Sequence, residues 1–263
     1  LKMASRLMKL MSLPGTEISD AGLSELQNLI GTQLSLKSLL LSLEGCKGIT
    51  SETLERFIGC LSTLTNLESL ELFLGSLPLT DYSIENLAIA LKTVPRLRKF
   101  ALSLTKGLDL TNRTLTYLQE IIESQPLINQ LFLNFIGCSD LTDGGLTNLL
   151  GSVQRLQNLE ELQVHLAGAR KISDQGFSTL TEALKLVPTF THLTLNIAKR
   201  TAAYEENSNI LAYNEGVSIV IRNLQNDLFH SSSVLKSWAA GDMNHLQFNK
   251  QGDRLFCALK NGN

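Results

Sequence analysis

The sequence predicts an α/β repeat protein, in which strand-and-helix units stack side by side and form one parallel sheet with helices on one face. Three observations lead to this prediction. Leucine is abundant while aromatic residues make up only 6% of the 263 residues. Six segments share one apolar pattern, and a second motif recurs six times at the same pitch of 30 or 31 residues. Such self-similarity is the sequence signature of a repeat architecture.

The shared segment carries apolar residues at its first, fourth, sixth and eighth positions. Its copies begin at Leu36, Leu67, Leu97, Ile128, Leu159 and Phe190. Successive starts lie 30 or 31 residues apart, a regularity that chance does not produce. The last five residues of each copy alternate between apolar and variable, which is the period of a β-strand. Each copy therefore predicts a strand that buries every second side chain.

The second motif predicts the start of a helix. An apolar residue is followed by Ser or Thr, in most copies with Asp or Asn next, and these side chains can accept hydrogen bonds from the free N–H groups of a helix start. The copies begin at Ile18, Ile49, Leu79, Leu110, Leu141 and Ile172. Apolar residues then recur at helical spacing, as in Leu146, Leu149, Leu150, Val153 and Leu156. Pro95, Pro126 and Pro188 follow three of the predicted helices and end them.

Cysteine precedes the second motif in two copies, where Cys46 begins CKGITSETL and Cys138 begins CSDLTDGGL. With these motifs the chain resembles the leucine-rich-repeat family over roughly residues 8–225. The two cysteine-containing copies resemble one subclass, and the long unit with a full helix resembles the ribonuclease-inhibitor subclass. The resemblance implies a horseshoe-shaped solenoid with a parallel concave sheet and helices on the convex face. The sequence departs from the family in lacking its Asn ladder, and other copies replace the cysteine with Leu77, Gly107 and Ala169.

We expect two regions: a solenoid over residues 1–225, with six regular units and degenerate ends, and a C-terminal cap or tail over 226–263. At the start, Met8, Met11 and Leu13 suggest a degenerate first strand. After Ile197 the regular repeat spacing is interrupted, and the polar stretch KRTAAYEENSN predicts a protruding loop. Apolar spacing then predicts a seventh helix, on Val217, Val220, Ile221 and Leu224, and a terminal strand within RLFCALKNGN.

Composition argues against several classes of protein. A net charge of −2 does not favour a nucleic-acid binder, and no apolar run reaches the ~18–20 residues that span a bilayer. Equivalent positions three strands apart place Cys46 and Cys138 at least ~14 Å from each other, too far for a disulfide. Four cysteines without a CxxC spacing also argue against zinc. We therefore expect free thiols and a reducing, cytoplasmic setting, with cytosol, nucleus and cilium left open.

No catalytic constellation is found in the sequence, and we expect neither an enzyme nor a cofactor, metal or small-molecule substrate. It contains no GxSxG, no HExxH and no Gly-rich phosphate loop after a strand. His192 is predicted beside Glu161, while His165 lies four residues further along its strand, roughly 13 Å away at strand rise. The two histidines therefore cannot share one metal ion. A solvated Glu161–His192 pair is a simpler interpretation than an acid–base dyad.

The predicted concave face is mostly polar, with Leu40, Phe73 and Phe132 as apolar exceptions and Ile136 just past its strand. Apolar groups in a polar field are typical of protein-binding hot spots, although a flanking segment or a neighbouring domain could instead cover them. We predict that Leu40, Phe73 and Phe132 bind a protein, with Gln163, His165 and His192 in the surrounding polar rim. From the strand geometry we expect Phe73 and Phe132 to lie roughly 10–12 Å apart.

The sequence thus predicts a non-catalytic interaction module or scaffold subunit, binding one or more proteins and suited to a large assembly. The alternative, which the resemblance suggests, is the substrate-recognition arm of a ubiquitin-ligase-type complex, and it requires sequence outside this chain. Catalysis by the irregular tail is a third, weaker hypothesis. A basic binding surface at the sheet edge that follows the strands is a further candidate. The acidic residues on the same edge, Glu44, Asp109 and Asp140, offset part of its positive charge. That charge comes from Lys47, Lys106, Arg170, Lys171, Lys199 and Arg200.

Overall fold

A computed structural model describes residues 7–11, 18–173, 176, 192–197, 217–222, 243–248 and 255–259, with side chains for 18–173 and 176. The first part alternates strands and helices: β1 Leu7–Met11, α1 Asp20–Gly31, β2 Ser38–Ser42, α2 Ser51–Cys60, β3 Ser69–Phe73, α3 Asp81–Leu91, β4 Lys99–Ser103, α4 Asn112–Ser124, β5 Gln130–Asn134, α5 Asp143–Val153 and β6 Glu161–His165. A short 3₁₀-helix, Leu61–Thr63, extends α2. The remaining strands are β7 His192–Ile197, β8 Val217–Arg222, β9 Met243–Phe248 and β10 Leu255–Leu259.

The sheet follows the order of the sequence. Strands β1 to β7 pair in parallel, each with the next along the chain, so this part of the molecule is an α/β fold. Each residue of a strand stands opposite the equivalent residue one repeat later: Leu39, for example, pairs with Leu70, and Leu70 with Phe100. The predicted strands and their register are therefore confirmed from β2 to β6. The degenerate first strand is also present, as β1.

Among the residues whose side chains are described, one apolar core lies between the sheet and the helices. Every second residue of a strand is buried there, as with Leu131 and Leu133 of β5. The helices bury the residues at helical spacing that the sequence predicted, including Leu146, Leu149 and Val153 of α5. Because equivalent leucines stack from repeat to repeat, the core is continuous, and each unit depends on its neighbours for burial.

The helix starts are joined to one another across repeats. The first residue of a helix accepts a hydrogen bond from the backbone N–H that precedes the next helix, at 2.7–2.9 Å. These bonds join Asp20 to Thr50, Asp81 to Thr111, Asn112 to Thr142 and Asp143 to Ser173. We call this set the Asx ladder. It has a gap at α2, where Ser51 takes the Asx position and the Thr80 N–H donates instead to the hydroxyl of Ser83.

The expectation that the Ser or Thr hydroxyl caps its own helix is right for only some helices. Thr50 and Thr111 accept hydrogen bonds from N–H groups of α2 and α4. Ser19 and Thr142 make no such bond before α1 and α5. The motif therefore acts more through its Asp or Asn, which connects repeats, than through its hydroxyl.

The prediction of a seventh helix from Val217 was wrong. Residues Val217–Arg222 form β8, which pairs antiparallel with β7. The segment VSIVIR is rich in β-branched residues and alternates, so its apolar positions suit period two as well as helical spacing. β9 and β10 continue the same sheet, and β10 lies in the predicted terminal strand. The predicted loop over 199–209 lies outside the described residues.

Candidate functional site

The sheet presents one face to the helices and another away from them, and we call the second the open face. On β2, β3, β5 and β6 the residues predicted to point outward are only partly buried, while their neighbours in the strand are buried. Strand β4 differs, because Ala101 and Ser103 are also buried although they belong to the open face. Side chains of neighbouring strands must therefore cover β4 on the open face.

Phe73 and Phe132 provide that cover. They stand on β3 and β5, on either side of β4, and their ring centroids are 6.2 Å apart at an interplanar angle of 47°. Register places Phe73 opposite Ser103 and Phe132 opposite Ala101. The rings thus meet diagonally over two small side chains.

The expected separation of 10–12 Å between Phe73 and Phe132 was calculated from the backbone, and it was wrong for the two rings, whose centroids are 6.2 Å apart. Two strand spacings do separate the two backbones, but small residues on β4 leave room for both rings to lean inward. Ala101 is only 2% exposed, so the two rings leave almost none of its surface in contact with water. Larger side chains at positions 101 and 103 would hold the rings apart.

His165 completes the cluster from β6. Its ring meets the ring of Phe132 edge-on, with centroids 5.2 Å apart and an interplanar angle of 68°. Burial lowers the pKa of His165 below its ordinary value, so the imidazole is neutral at pH 7. Within the part of the chain whose side chains are described, its Nε2 atom is buried without a hydrogen-bond partner. We refer to Phe73, Phe132 and His165 as the aromatic cluster.

A shallow depression of about 220 Å³ lies beside the cluster, over β3 to β6. Its apolar lining comes from Phe73, Phe100, Ala101, Leu131 and Phe132, and its polar lining from Glu71, Lys99, Gln130, Glu161 and Gln163. Lys99 is bound to Glu71 by an ion pair of 2.8 Å, and the Glu71 side chain is only 17% exposed. The depression therefore combines an aromatic surface with carboxylate and carboxamide groups.

The other predicted contact residues are more scattered. Leu40 is partly exposed on β2, opposite Glu71. Gln163 stands opposite Phe132 and belongs to the depression. His192 pairs in register with Glu161, as expected, but its side chain lies outside the described residues. Ile136 is partly buried just past β5, where its N–H donates to the Asn134 side chain at 3.0 Å.

The edge of the sheet that follows the strands has mixed charge. Lys171 is paired with Asp140. Thr105 donates a hydrogen bond of 2.6 Å to Glu44, two repeats away, across Gly75. A Cβ at Gly75 would lie 1.8 Å from the Thr105 hydroxyl, so this contact requires glycine. Of the predicted basic edge, Lys171 thus has an acidic partner, while Lys199 and Arg200 lie outside the described residues.

Other kinds of site find little support in the described part of the chain. No group of three or more His, Cys, Asp or Glu side chains is placed to hold a metal ion there. Among the same residues, no helix has the length and apolar character needed to cross a membrane. Cys46, Cys60 and Cys138 are free, as predicted, and the side chain of Cys257 lies outside the described residues.

Comparison with known proteins leaves the function open. No protein-family model matches the sequence. No curated protein matches it at a significant level. One of the solved structures that resemble it is actin-binding site 2 of leiomodin-1, with a TM-score of 0.44 and 17% identity over 65% of this chain and 90% of that one. A likeness this distant carries no argument about what the chain binds.

Sequence reasoning placed both phenylalanines on the open face but missed the residues that bring them together. Ala101 and Ser103 look unremarkable in a list of outward positions. Their small size on the strand between two phenylalanines was the available signal. The Lys99–Glu71 ion pair was also missed, although opposite charges two residues out of register on neighbouring strands are within reach of each other.

Proposed function

We propose that this chain is a leucine-rich-repeat solenoid that acts as a non-catalytic protein-interaction module, with the aromatic cluster as the centre of its binding face. The observation that carries the proposal is the contact of Phe73 with Phe132 on an otherwise polar open face. The repeat pattern of the sequence and the parallel, in-register strands support the choice of fold.

The energetics of the cluster support a role in binding. Both rings remain partly exposed, so a partner that covers them would remove further apolar surface from water. Aromatic side chains held rigidly by neighbours lose little conformational freedom on binding, and they dominate the energy of many interfaces. Phe132 contacts both Phe73 and His165, and these ring contacts restrict its motion before any partner arrives.

The surrounding polar groups support specificity. Gln130 and Gln163 each offer two N–H donors and a carbonyl acceptor beside the rings. Such groups contribute less energy than the aromatic centre, but they penalise a partner that leaves them unpaired. We place the module in a reducing compartment, because the chain has few cysteines and the three described ones are free.

Site-specific crosslinking tests the proposal in cells. The photo-crosslinking amino acid p-benzoylphenylalanine is introduced at position 132, and in a matched control at position 89, where Ile89 is 58% exposed on α3. We expect a specific protein to be crosslinked at position 132 and not at position 89. Recovery should fall when Phe73→Ala is added. Crosslinking at position 89 alone would place binding on the helices and contradict the proposal.

A further inference from the structure

The first repeat exposes apolar surface at a position that the later repeats bury. Leu29, the tenth residue of α1, is 50% exposed. The tenth residue is half-buried in α2 and at most 3% exposed in α3, α4 and α5; these residues are Cys60, Ala90, Ile121 and Ser152. Each of those helices packs against the preceding helix, whereas α1 has no preceding helix in the described part of the chain. Leu29 therefore faces the end of the stack.

Two further positions follow the same pattern. Ile18 is half-buried before α1, while its equivalents are at most 3% exposed: Ile49, Leu79, Leu110, Leu141 and Ile172. Gly22, the third residue of α1, is exposed, whereas the residues at its position in later helices are buried: Thr53, Ser83, Thr114 and Gly145. A Cβ at Gly145 would lie 2.5 Å from Asn112 Oδ1, so the preceding helix start covers this position. We call Ile18, Gly22 and Leu29 the end surface.

The sheet and the Asx ladder also stop at this end among the described residues. Strand β1 is the first in the sheet, and its described residues pair only with β2. In later repeats the backbone N–H before a helix donates to the preceding repeat, as at Thr50, Thr111, Thr142 and Ser173. The equivalent N–H of Ser19 makes no such bond to a described residue. Since a terminal repeat usually presents a polar outer face, the exposure of Leu29 indicates that another unit stacks here.

Charge argues against a second copy of this chain as that unit. Two-fold pairing of β1 with itself, centred on the strand, would place Lys9 opposite the Lys9 of the other copy. Glu25 lies at the middle of α1 and is exposed. Its equivalent in α4, Tyr117, donates a hydrogen bond to Glu85 of the preceding helix, so Glu25 borders the end surface. The same symmetry would bring two Glu25 carboxylates together, whereas a basic residue of a different protein would complement Glu25.

We propose that the end surface binds a different protein, which stacks a strand–helix unit of the same kind on the first repeat. The strand of that unit pairs in parallel with the outer edge of β1, and its helix covers Ile18 and Leu29. An Asp or Asn at the start of the helix accepts from the Ser19 N–H, and a basic residue of the helix faces Glu25. The later repeats contain the same interface within one chain, between each repeat and the one before it. This second interface includes no residue of the aromatic cluster.

Crosslinking in cells, followed by binding measurements, tests this interface. p-Benzoylphenylalanine is introduced into the full chain at position 29, and in a matched control at position 108, where Leu108 is 70% exposed at the sheet edge. We expect a protein to be crosslinked at position 29 only, and the attached residue of that protein, located by mass spectrometry, to lie on a helix that follows a strand. With that protein purified, Leu29→Ser should weaken binding about tenfold and Glu25→Lys about threefold or more. Leu108→Ser should leave binding unchanged, and amide hydrogen exchange of β1 should slow in the complex.

The outcomes separate this interface from the open face. No specific crosslink at position 29, or a crosslink to a second copy or to another residue of the same chain, would overturn the proposal. So would a captured protein whose binding is unchanged by Leu29→Ser. Because Phe132 is not part of the end surface, Phe132→Ala should leave this binding intact. A captured protein that is lost with Phe132→Ala and retained with Leu29→Ser would belong to the open face, which supports the function proposed above and contradicts the second interface.

Discussion

Asp81 and Thr111 are joined across neighbouring repeats by two hydrogen bonds to one carboxylate. The Thr111 N–H donates to Oδ1 at 2.9 Å and its hydroxyl donates to Oδ2 at 2.6 Å. Thr114, one turn further on, adds its N–H at 3.1 Å and its hydroxyl at 2.6 Å. One side chain thus connects the start of α3 to the start of α4, and it is the most heavily bonded member of the Asx ladder among the described residues.

Replacing Asp81 should destabilise the protein and change how its stability depends on pH. Burial raises the pKa of Asp81, but the hydrogen bonds from Thr111 and Thr114 outweigh it and hold the pKa below the ordinary value. Because the folded pKa lies below the unfolded value of about 3.9, the stabilisation is complete well above that pH and is lost as pH falls through the folded pKa. We expect Asp81→Ala to lose about 1–2 kcal/mol of unfolding free energy at pH 7, a modest figure because the carboxylate is partly exposed.

Asp81→Asn is the matched control for that experiment. Asn112 shows that an amide can fill this position, since it accepts from the Thr142 N–H and donates to the Thr142 hydroxyl. The variant should retain more stability than Asp81→Ala and show no titration of its own. The advantage of wild type over Asp81→Asn in urea melts should shrink as pH is lowered below about 4. An advantage that grows toward low pH would mean that the carboxylate is not stabilised in the folded state.

Adjacent residues of β5 should differ sharply in their contribution to stability. Leu133 is fully buried in the core, and Leu133→Ala should cost about 2–5 kcal/mol through lost burial and a cavity. Phe132 is partly exposed on the open face, and Phe132→Ala should cost about 0.5–1.5 kcal/mol, mostly from its ring contacts. Denaturant melts of the two variants measure both values. A larger loss for Phe132→Ala would show the strand register to be off by one residue.

Two glycines should respond in opposite ways to alanine. Gly137 follows β5 with φ of +80°, a left-handed conformation that recurs one repeat earlier at Lys106, with φ of +59°. Gly137→Ala should cost about 1–2 kcal/mol, because Ala tolerates this φ poorly. Gly59 lies in α2 with nothing within 4 Å of an added Cβ, so Gly59→Ala should stabilise by about 0.5–1 kcal/mol. Thermal melts that rank the two variants in the reverse order would contradict the described turn.

All four cysteines should be free thiols. Cys138 donates a hydrogen bond from Sγ to the Leu104 carbonyl at 3.2 Å, and burial raises its pKa to about 11. Burial likewise raises the pKa of Cys60 to about 11, so both thiols should react slowly in the folded protein at neutral pH. Thiol titration of the unfolded, unreduced chain should give four reactive groups. A count of two or fewer would show that the cysteines are paired.

The sequence predicted the features that depend on periodicity within one repeat. Burial of Leu133 and partial exposure of Phe132 followed from the repeat pattern, which is apolar in every copy at the position of Leu133 and variable at that of Phe132. The contact of Phe73 with Phe132 was not predicted, because it depends on the size of Ala101 and Ser103 on a third strand.

Features that connect one repeat to another were harder to predict. The Asx ladder was missed because each motif was interpreted as a cap for its own helix, although Asp81 and Asn112 occupy equivalent positions one repeat apart. Strand β8 was assigned to a helix because apolar β-branched residues such as Val217 and Ile221 satisfy both periods over a short segment. In both cases the deciding interaction lies outside the segment whose pattern was interpreted.

The affinity of the open face for its partner tests the central claim most directly. With the protein identified by crosslinking at position 132, dissociation constants are measured for wild type, Phe73→Ala, Phe132→Ala and the double variant, with Ile89→Ala as a control on α3 and melts to verify folding. We predict losses of about 2 kcal/mol or more for each cluster variant and no change for the control. The losses should not be additive in the double variant, because the two rings are in contact. Binding of both single variants within about 0.5 kcal/mol of wild type would contradict the assignment of the aromatic cluster as the binding centre.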